Sequence, residues 1–271
     1  MTTTSPRLGL MWSAVIAVLV VVASVAGLTD PRIYAEETSN WMAQAQGQDV
    51  GNLLAVAVLL VAAVGMRRGS ARAGLVWLGT LLYLVYAFII YALAVHLNYL
   101  FLVYVAVLGL SAWTLIFHVP QFDRQDLGFP SGRVRTLAGS VLIAIGVLFA
   151  ALWLSELVPA LVTGTVPASL TDAGLWVNPI HVIDLSLVLP GFILTGVAAL
   201  RTRQYGLFWL APWLVFSALM GASIVVAMVL LWGSSAASPV PPLVMVALVV
   251  MASLLAAWGY LRATTPRPSD H

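Results

Sequence analysis

Eight long apolar stretches constrain this chain more than any other feature of its sequence. They run at about 8–28, 50–66, 73–95, 100–117, 137–157, 183–200, 205–232 and 240–261. Each is close to the roughly 20 residues needed to cross a hydrocarbon core of about 30 Å. Lipid offers no partner for a backbone amide, so a crossing segment must satisfy its own hydrogen bonds, which an α-helix does. The expected fold is therefore all-α, a polytopic integral membrane protein with eight transmembrane helices in a lipid bilayer. Composition agrees: charged residues make up 8% of the chain, against roughly 25% in soluble domains. The first stretch is long, lacks a small-residue cleavage pattern and runs into Thr29-Asp30-Pro31, so it reads as a retained helix rather than a signal peptide.

Orientation follows from arginine. All twelve basic residues are arginine, since lysine is absent. With the N-terminus in the cytoplasm, the inner segments hold Arg7, then Arg67, Arg68 and Arg72, then Arg124, Arg133 and Arg135, then Arg201 and Arg203, then Arg262 and Arg267. The outer segments hold only Arg32. This is the positive-inside pattern, and it implies a cell membrane with both termini cytoplasmic. A missed or invented span would scatter the arginines onto both sides. Seven of the ten acids take the other side: Asp30, Glu36, Glu37, Asp49, Glu156, Asp172 and Asp184 fall outside or at the outer boundary, with His96 and His181.

The two halves resemble each other. Trp41 precedes Asp49 by the spacing with which Trp176 precedes Asp184, and Arg68 falls on Arg203 in the same register. After a short deletion, Gly74-Leu75-Val76-Trp77-Leu78-Gly79 matches Gly206-Leu207-Phe208-Trp209-Leu210-Ala211, and further on Ser111-Ala112-Trp113 matches Ala256-Ala257-Trp258. Matches of Trp, Asp and Arg carry weight in so apolar a chain, although membrane proteins in general favour Trp at interfaces and Arg inside. The expected organisation is a four-helix unit at 1–118, a cytoplasmic connection at 119–136 and a second four-helix unit at 137–271. Both units start inside, so the repeat would be parallel, with its pseudo-twofold axis along the membrane normal.

Polar residues point to the outer side. The stretch NPIHVIDLSLVLPG, 178–191, places His181 and Asp184 on adjacent turns and adds Pro190. Asp184 shares a helical stripe with Val188, Gly191 and Thr195, and small and hydroxyl residues favour a packing face. Asp49 is its counterpart in the first half. An ionisable residue facing a bundle interior is a functional candidate, but an acid at a helix N-terminus also fits as a cap. Pro190 and Pro212 should each free a carbonyl and kink a helix. The candidate ligand site is His181, Asp184, Glu156 and His96, with Asp49, Asn98, Asn178, Tyr83 and Tyr86 as possible support. The four principal residues are two imidazoles and two carboxylates, a set that suits a divalent metal if they converge; independent interface residues are the alternative. Glu36, Glu37, Asn40, Trp41 and Gln44 lie on the first outer loop, which can form a short amphipathic surface helix. His118 and His271 belong to the other side.

Several chemistries are set aside. Cysteine is absent, which removes disulfides, thiolate metal sites and cysteine nucleophiles. Without lysine there is no Schiff base. No phosphate loop, zinc-protease, hydrolase or dinucleotide motif is present, and no Lys/Arg run marks a nucleic-acid footprint. The layout over the eight spans is similar to that of haem A synthases, which have two four-helix halves with long outer loops after the first and fifth helices. That resemblance would imply paired histidines on the second and fourth helices of each half. Only His181 stands near such a place, so the likeness stops at architecture and haem is not expected.

Three readings of function remain: a protein that binds or transports a small molecule in an outward-facing pocket, a membrane-embedded enzyme using metal or acid–base chemistry at the outer face, and a non-catalytic accessory protein that docks a partner. The topology is testable in intact cells. A cysteine introduced at Ser131 should resist an impermeant external thiol reagent, and one placed in the 30–38 segment should react; the reverse result would invert the orientation.

Overall fold

Backbone amides that cannot reach water force helices, and helices are what the chain forms. The computed structural model of the protein describes residues 5–122, 127–232 and 240–266. Arg124, Arg267 and His271, and the side chain of Arg7, lie outside the described residues. The long helices are α1 (Ser5–Thr29), α2 (Ser39–Arg67), α3 (Ala71–Ala94), α4 (Phe101–His118) and α5 (Gly132–Thr163). A short α6 (Ala168–Ala173) follows, then α7 (Pro179–Ile183), which continues through a π-helical segment (Asp184–Val188) into α8 (Leu189–Leu200). The last two are α9 (Gln204–Leu230) and α10 (Val240–Ala263). Counting 179–200 as one span, eight helices among the described residues are long and apolar enough to cross a membrane. The protein is an all-α, multi-pass membrane protein. Side chains such as Val61, Leu102, Leu161 and Leu194 project from its surface, as lipid-facing residues should.

The spans alternate in direction. One end of the bundle collects Arg67, Arg68, Arg72, Arg133, Arg135, Arg201, Arg203 and Arg262 at helix termini and short turns. The other end, the acidic end, carries among the described residues Asp30, Glu36, Glu37, Glu156 and Asp172 with a single arginine, Arg32. At the arginine-rich end a two-residue strand, β1 (Leu127–Gly128), pairs antiparallel with β2 (Thr265–Pro266). Arg72 Nε donates to the Thr264 carbonyl at 2.7 Å beside it. This ties the connection between the halves to the end of α10.

Apolar stretches understate several helices. The second span begins at Ser39, eleven residues before the apolar run, so Asn40, Trp41 and Gln44, expected on a short surface helix, instead open α2, while Glu36 and Glu37 precede it. The reason is that Gln44 and Gln48 line a cavity rather than face lipid, while Trp41, Ala43, Ala45, Gly47 and Asp49 are buried. The caps differ too. Thr38 caps α2 by accepting from the Trp41 amide, and Asn178 caps α7 by accepting from the Ile180 amide. Asp49 lies ten residues inside α2, about 15 Å along its axis at 1.5 Å per residue. It is not an N-terminal cap, and neither is Asp184, which follows the last residue of α7. Pro190 makes no simple kink. The π segment just before it shifts the hydrogen-bond register, so that the Leu189 amide reaches the Asp184 carbonyl. Such bulges absorb an interrupted ladder and recur at functional sites.

Lipid tails are as apolar as leucine, so helices in a membrane associate through close packing of small residues. Three seams use it. Along α2 and α9, a Cβ on Gly47 would come within 2.5 Å of Ala227, and one on Gly51 would strike Ser223. Between α3 and α9, a Cβ on Gly79 would meet the Pro212 carbonyl at 2.5 Å. Between α5 and α8, Gly139 and Gly196 each approach the other's carbonyl. Gly47→Val should therefore cost about 1–3 kcal/mol through overpacking, read as a lower melting temperature in detergent. Gly109 faces open space, so Gly109→Ala should be neutral or raise it slightly.

Candidate functional site

Two buried carboxylates organise the acidic half of the bundle. Asp49 is fully buried in α2. The Tyr34 hydroxyl donates to its Oδ2 at 2.7 Å and the Tyr91 hydroxyl to its Oδ1 at 2.8 Å. Burial first, and then the charge of Asp49, push the Tyr34 hydroxyl far above its ordinary pKa, so it stays a donor. Gly27 of α1 makes the room, since a side chain there would collide with the Asp49 carboxylate and the Tyr34 hydroxyl. One turn further along α2, Asn52 donates to Ser24 Oγ at 3.3 Å and accepts from Gln48 at 3.2 Å. Gln48 also donates to the Tyr83 hydroxyl.

Asp184, at the start of the π segment, is held in a similar way. The Tyr86 hydroxyl donates to its Oδ1 at 3.0 Å and Trp153 Nε1 to its Oδ2 at 2.8 Å. The stripe identified in the sequence faces protein: Val188 and Thr195 are buried, and Gly191 packs on the Trp213 ring. Trp153 also lies against His181, with ring centroids 4.7 Å apart. Neither Asp49 nor Asp184 has a cationic partner among the described residues, whose ion pairs are Arg32–Asp30 and His96–Glu37. A buried carboxylate without a counter-charge is costly even when well hydrogen-bonded. It is retained where it has something to bind or a proton to exchange.

Between these carboxylates lies a partly enclosed cavity of about 370 Å³. Its walls come from α2, α3, α5, the 179–200 span, α9 and α10. Asp184 is on the wall. Tyr91 lines the cavity too, so Asp49 is reached from the cavity through a tyrosine hydroxyl. Gln44, Gln48, Ser217 and Ser223 supply the remaining polar groups, and most of the lining is aliphatic or aromatic.

The sequence candidates divide among three places. Asp184 and Tyr86 are together at the cavity. Tyr83 sits behind the lining residue Gln48, which donates to it, and Asp49 behind Tyr91. His181 lies across Trp153 from Asp184 and faces a separate surface groove, which Trp176, Asn178 and Leu170 also line. Glu156 is close enough to His181 to act on it electrostatically, and it accepts from Ser169 Oγ on α6. His96 is elsewhere: its Nδ1 is 3.1 Å from Glu37, and its amide donates to the same carboxylate at 2.7 Å. Asn98 steadies that loop by accepting from the Leu100 amide at 2.9 Å and donating to the Ile33 carbonyl at 3.4 Å. These bonds lock the 30–38 segment onto the α3–α4 turn. Nearby, hydrogen bonds from Arg32 and then Tyr99 hold the Asp30 carboxyl far below the usual carboxylate range. Among the described residues, no three His, Asp or Glu side chains come together as a metal-ligand set.

Tyr34, Tyr91, Gln48, Asn52 and Trp153 were not singled out from the sequence. One signal was available: a tyrosine or tryptophan inside a span needs a partner for its polar atom, and Asp49 and Asp184 are the scarce acceptors nearby. Comparisons with protein-family models, with curated proteins and with solved structures find no match to this chain.

The Asp49 triad is testable by a double-mutant cycle. Tyr91→Phe should cost about 1–3 kcal/mol by leaving the buried carboxylate short of a donor. The same change in an Asp49→Asn background should cost measurably less, with a coupling above about 0.5 kcal/mol. Additive losses in chemical denaturation would mean that the hydroxyl does not serve Asp49.

Proposed function

We propose that this protein binds a small, largely apolar molecule in the cavity at its acidic end and passes it across the membrane. The cavity itself, with Asp184 in its wall, carries the reading. Its volume falls in the range of small-molecule sites, and an apolar lining with a few convergent polar groups is the usual character of such sites. In the same reading the arginine-rich end faces the cytoplasm, so the cavity faces outward in a cell membrane.

We read the bundle as two copies of one four-helix unit, and the neighbour relations support this. α1 lies on α2 and α4 as α5 lies on α8 and α10, and α3 lies between α2 and α4 as α9 lies between α8 and α10. The copies differ where they meet. α2 closes along α9 through Gly47 and Gly51 against Ala227 and Ser223. In the register of the sequence matches, the corresponding seam would set Val182 and Ser186 of the sixth span against Tyr91 of α3 and Val95 just past its end. Val182 and Ser186 instead lie exposed on the surface, that seam stays open, and α3 touches the short α7 rather than running along α8. The Tyr86–Asp184 hydrogen bond bridges that gap. One closed seam and one open one is how a repeat can enclose a site at its centre.

Because the natural chain has no cysteine, access to the cavity can be measured cleanly. Met220→Cys and Gln44→Cys, both on the lining, should react in intact cells with a small, impermeant, positively charged methanethiosulfonate reagent. Leu102→Cys, on the lipid face, should not. Protection of both cavity positions would remove the outward-open binding site and this function with it.

A further inference from the structure

We infer that the molecule held in this cavity is an organic cation, an alkylated or aromatic ammonium. The inference rests on the reading of the cavity as a binding site and adds the chemical class of its occupant.

Three observations converge. The first is charge. Asp184 is on the wall, and both of its hydrogen-bond donors, Tyr86 and Trp153, are neutral. A carboxylate offers about four lone-pair sites, so two remain for a ligand. Asp49 adds a second uncompensated carboxylate one tyrosine hydroxyl behind the wall. No arginine or histidine lines the cavity. In a low-dielectric interior a carboxylate on the wall, Asp184, favours a positive occupant.

The second observation is the lining. Tyr86, Tyr91, Phe149, Trp153, Phe192 and Phe216 surround the same space, with Trp41 on the α2 side. Aromatic faces beside a carboxylate are the usual means of holding a quaternary ammonium. An inorganic cation is a poor fit. Calcium and magnesium take six or more oxygens, whereas this lining is mainly aliphatic and aromatic, with Asp184 its one carboxylate. The third observation is the approach. Around the acidic end, Asp30, Glu36, Glu37, Glu156 and Asp172 outnumber Arg32 among the described residues, a field that attracts cations to the mouth.

The test uses the full-length protein in nanodiscs and two probes of one shape: benzyltrimethylammonium and its uncharged carbon isostere, neopentylbenzene. Equilibrium dialysis against empty nanodiscs removes the contribution of lipid partitioning. The cation should bind at least about tenfold more tightly than the isostere, the scale of 1.4 kcal/mol. Asp184→Asn should erase that preference while changing binding of the isostere less than about twofold. Should Asp184→Asn fail to give a monodisperse protein, Phe149→Leu serves instead. It keeps an apolar wall but removes one π-face, and should weaken the cation alone by about two- to fivefold. Equal or tighter binding of the isostere, or a cation preference that survives in Asp184→Asn, would overturn the cation assignment and leave the binding site standing. Failure of both probes to bind above empty nanodiscs would overturn the binding site itself.

Discussion

The contact of α2 with α9 is the constraint on which the rest of the bundle depends. Lipid supplies no hydrophobic drive between helices, so two of them associate only if their backbones come close enough for dense packing. Gly47 and Gly51 allow that approach against Ala227 and Ser223, and any Cβ at 47 would meet the Ala227 backbone. The same helices then set the positions of Asp49, Gln48 and Asn52 on one side and of Ser217 and Met220 on the other. A carboxylate in the membrane is tolerated only where donors are waiting for it, and the seam brings them within reach.

The two acids show how little separates a structural polar group from a functional one. Each is buried, each accepts from two neutral donors, and each has no cation beside it among the described residues. They differ in what stands next to them. Asp49 is packed against Gly27 of α1 and shielded from the cavity by Tyr91. Asp184 lies on the cavity wall, at a π segment that re-aims the backbone just before Pro190. The second has room for a partner and the first does not. Trp153 then divides Asp184 from His181, so two residues on adjacent turns of one span serve different surfaces.

Much of the fold was legible because its cause is local. Span number follows from runs of apolar side chains, and the segregation of arginine follows from the alternation of those runs. Where the sequence misled, the reason was also physical. The start of α2 looked like a loop because Asn40, Gln44 and Gln48 are polar, and hydropathy cannot tell a residue that faces a protein cavity from one that faces water. Asp49 and Asp184 looked like possible caps because the apolar runs begin at 50 and 183, whereas the helices begin earlier, at Ser39 and Pro179. His96 looked like a partner for His181 because both lie on the acidic side. Sharing a side is not sharing a site, and Glu37 claims the His96 imidazole.

The sequence by itself determined the solvent, the number of crossings, the gathering of the described arginines, Arg32 apart, at one end and the presence of two acids inside apolar surroundings. These depend on the free energy of moving each residue between water and lipid, which hardly requires knowing its neighbours. Only the tertiary structure decided which donors satisfy those acids, that the seam of α2 with α9 closes while α3 stays off α8, and that the resulting space is bordered by Asp184 and aromatic rings. Those outcomes depend on contacts between residues as far apart in the chain as Tyr86 and Asp184 or Gly47 and Ala227, and on whether a methylene more or less fits between two backbones.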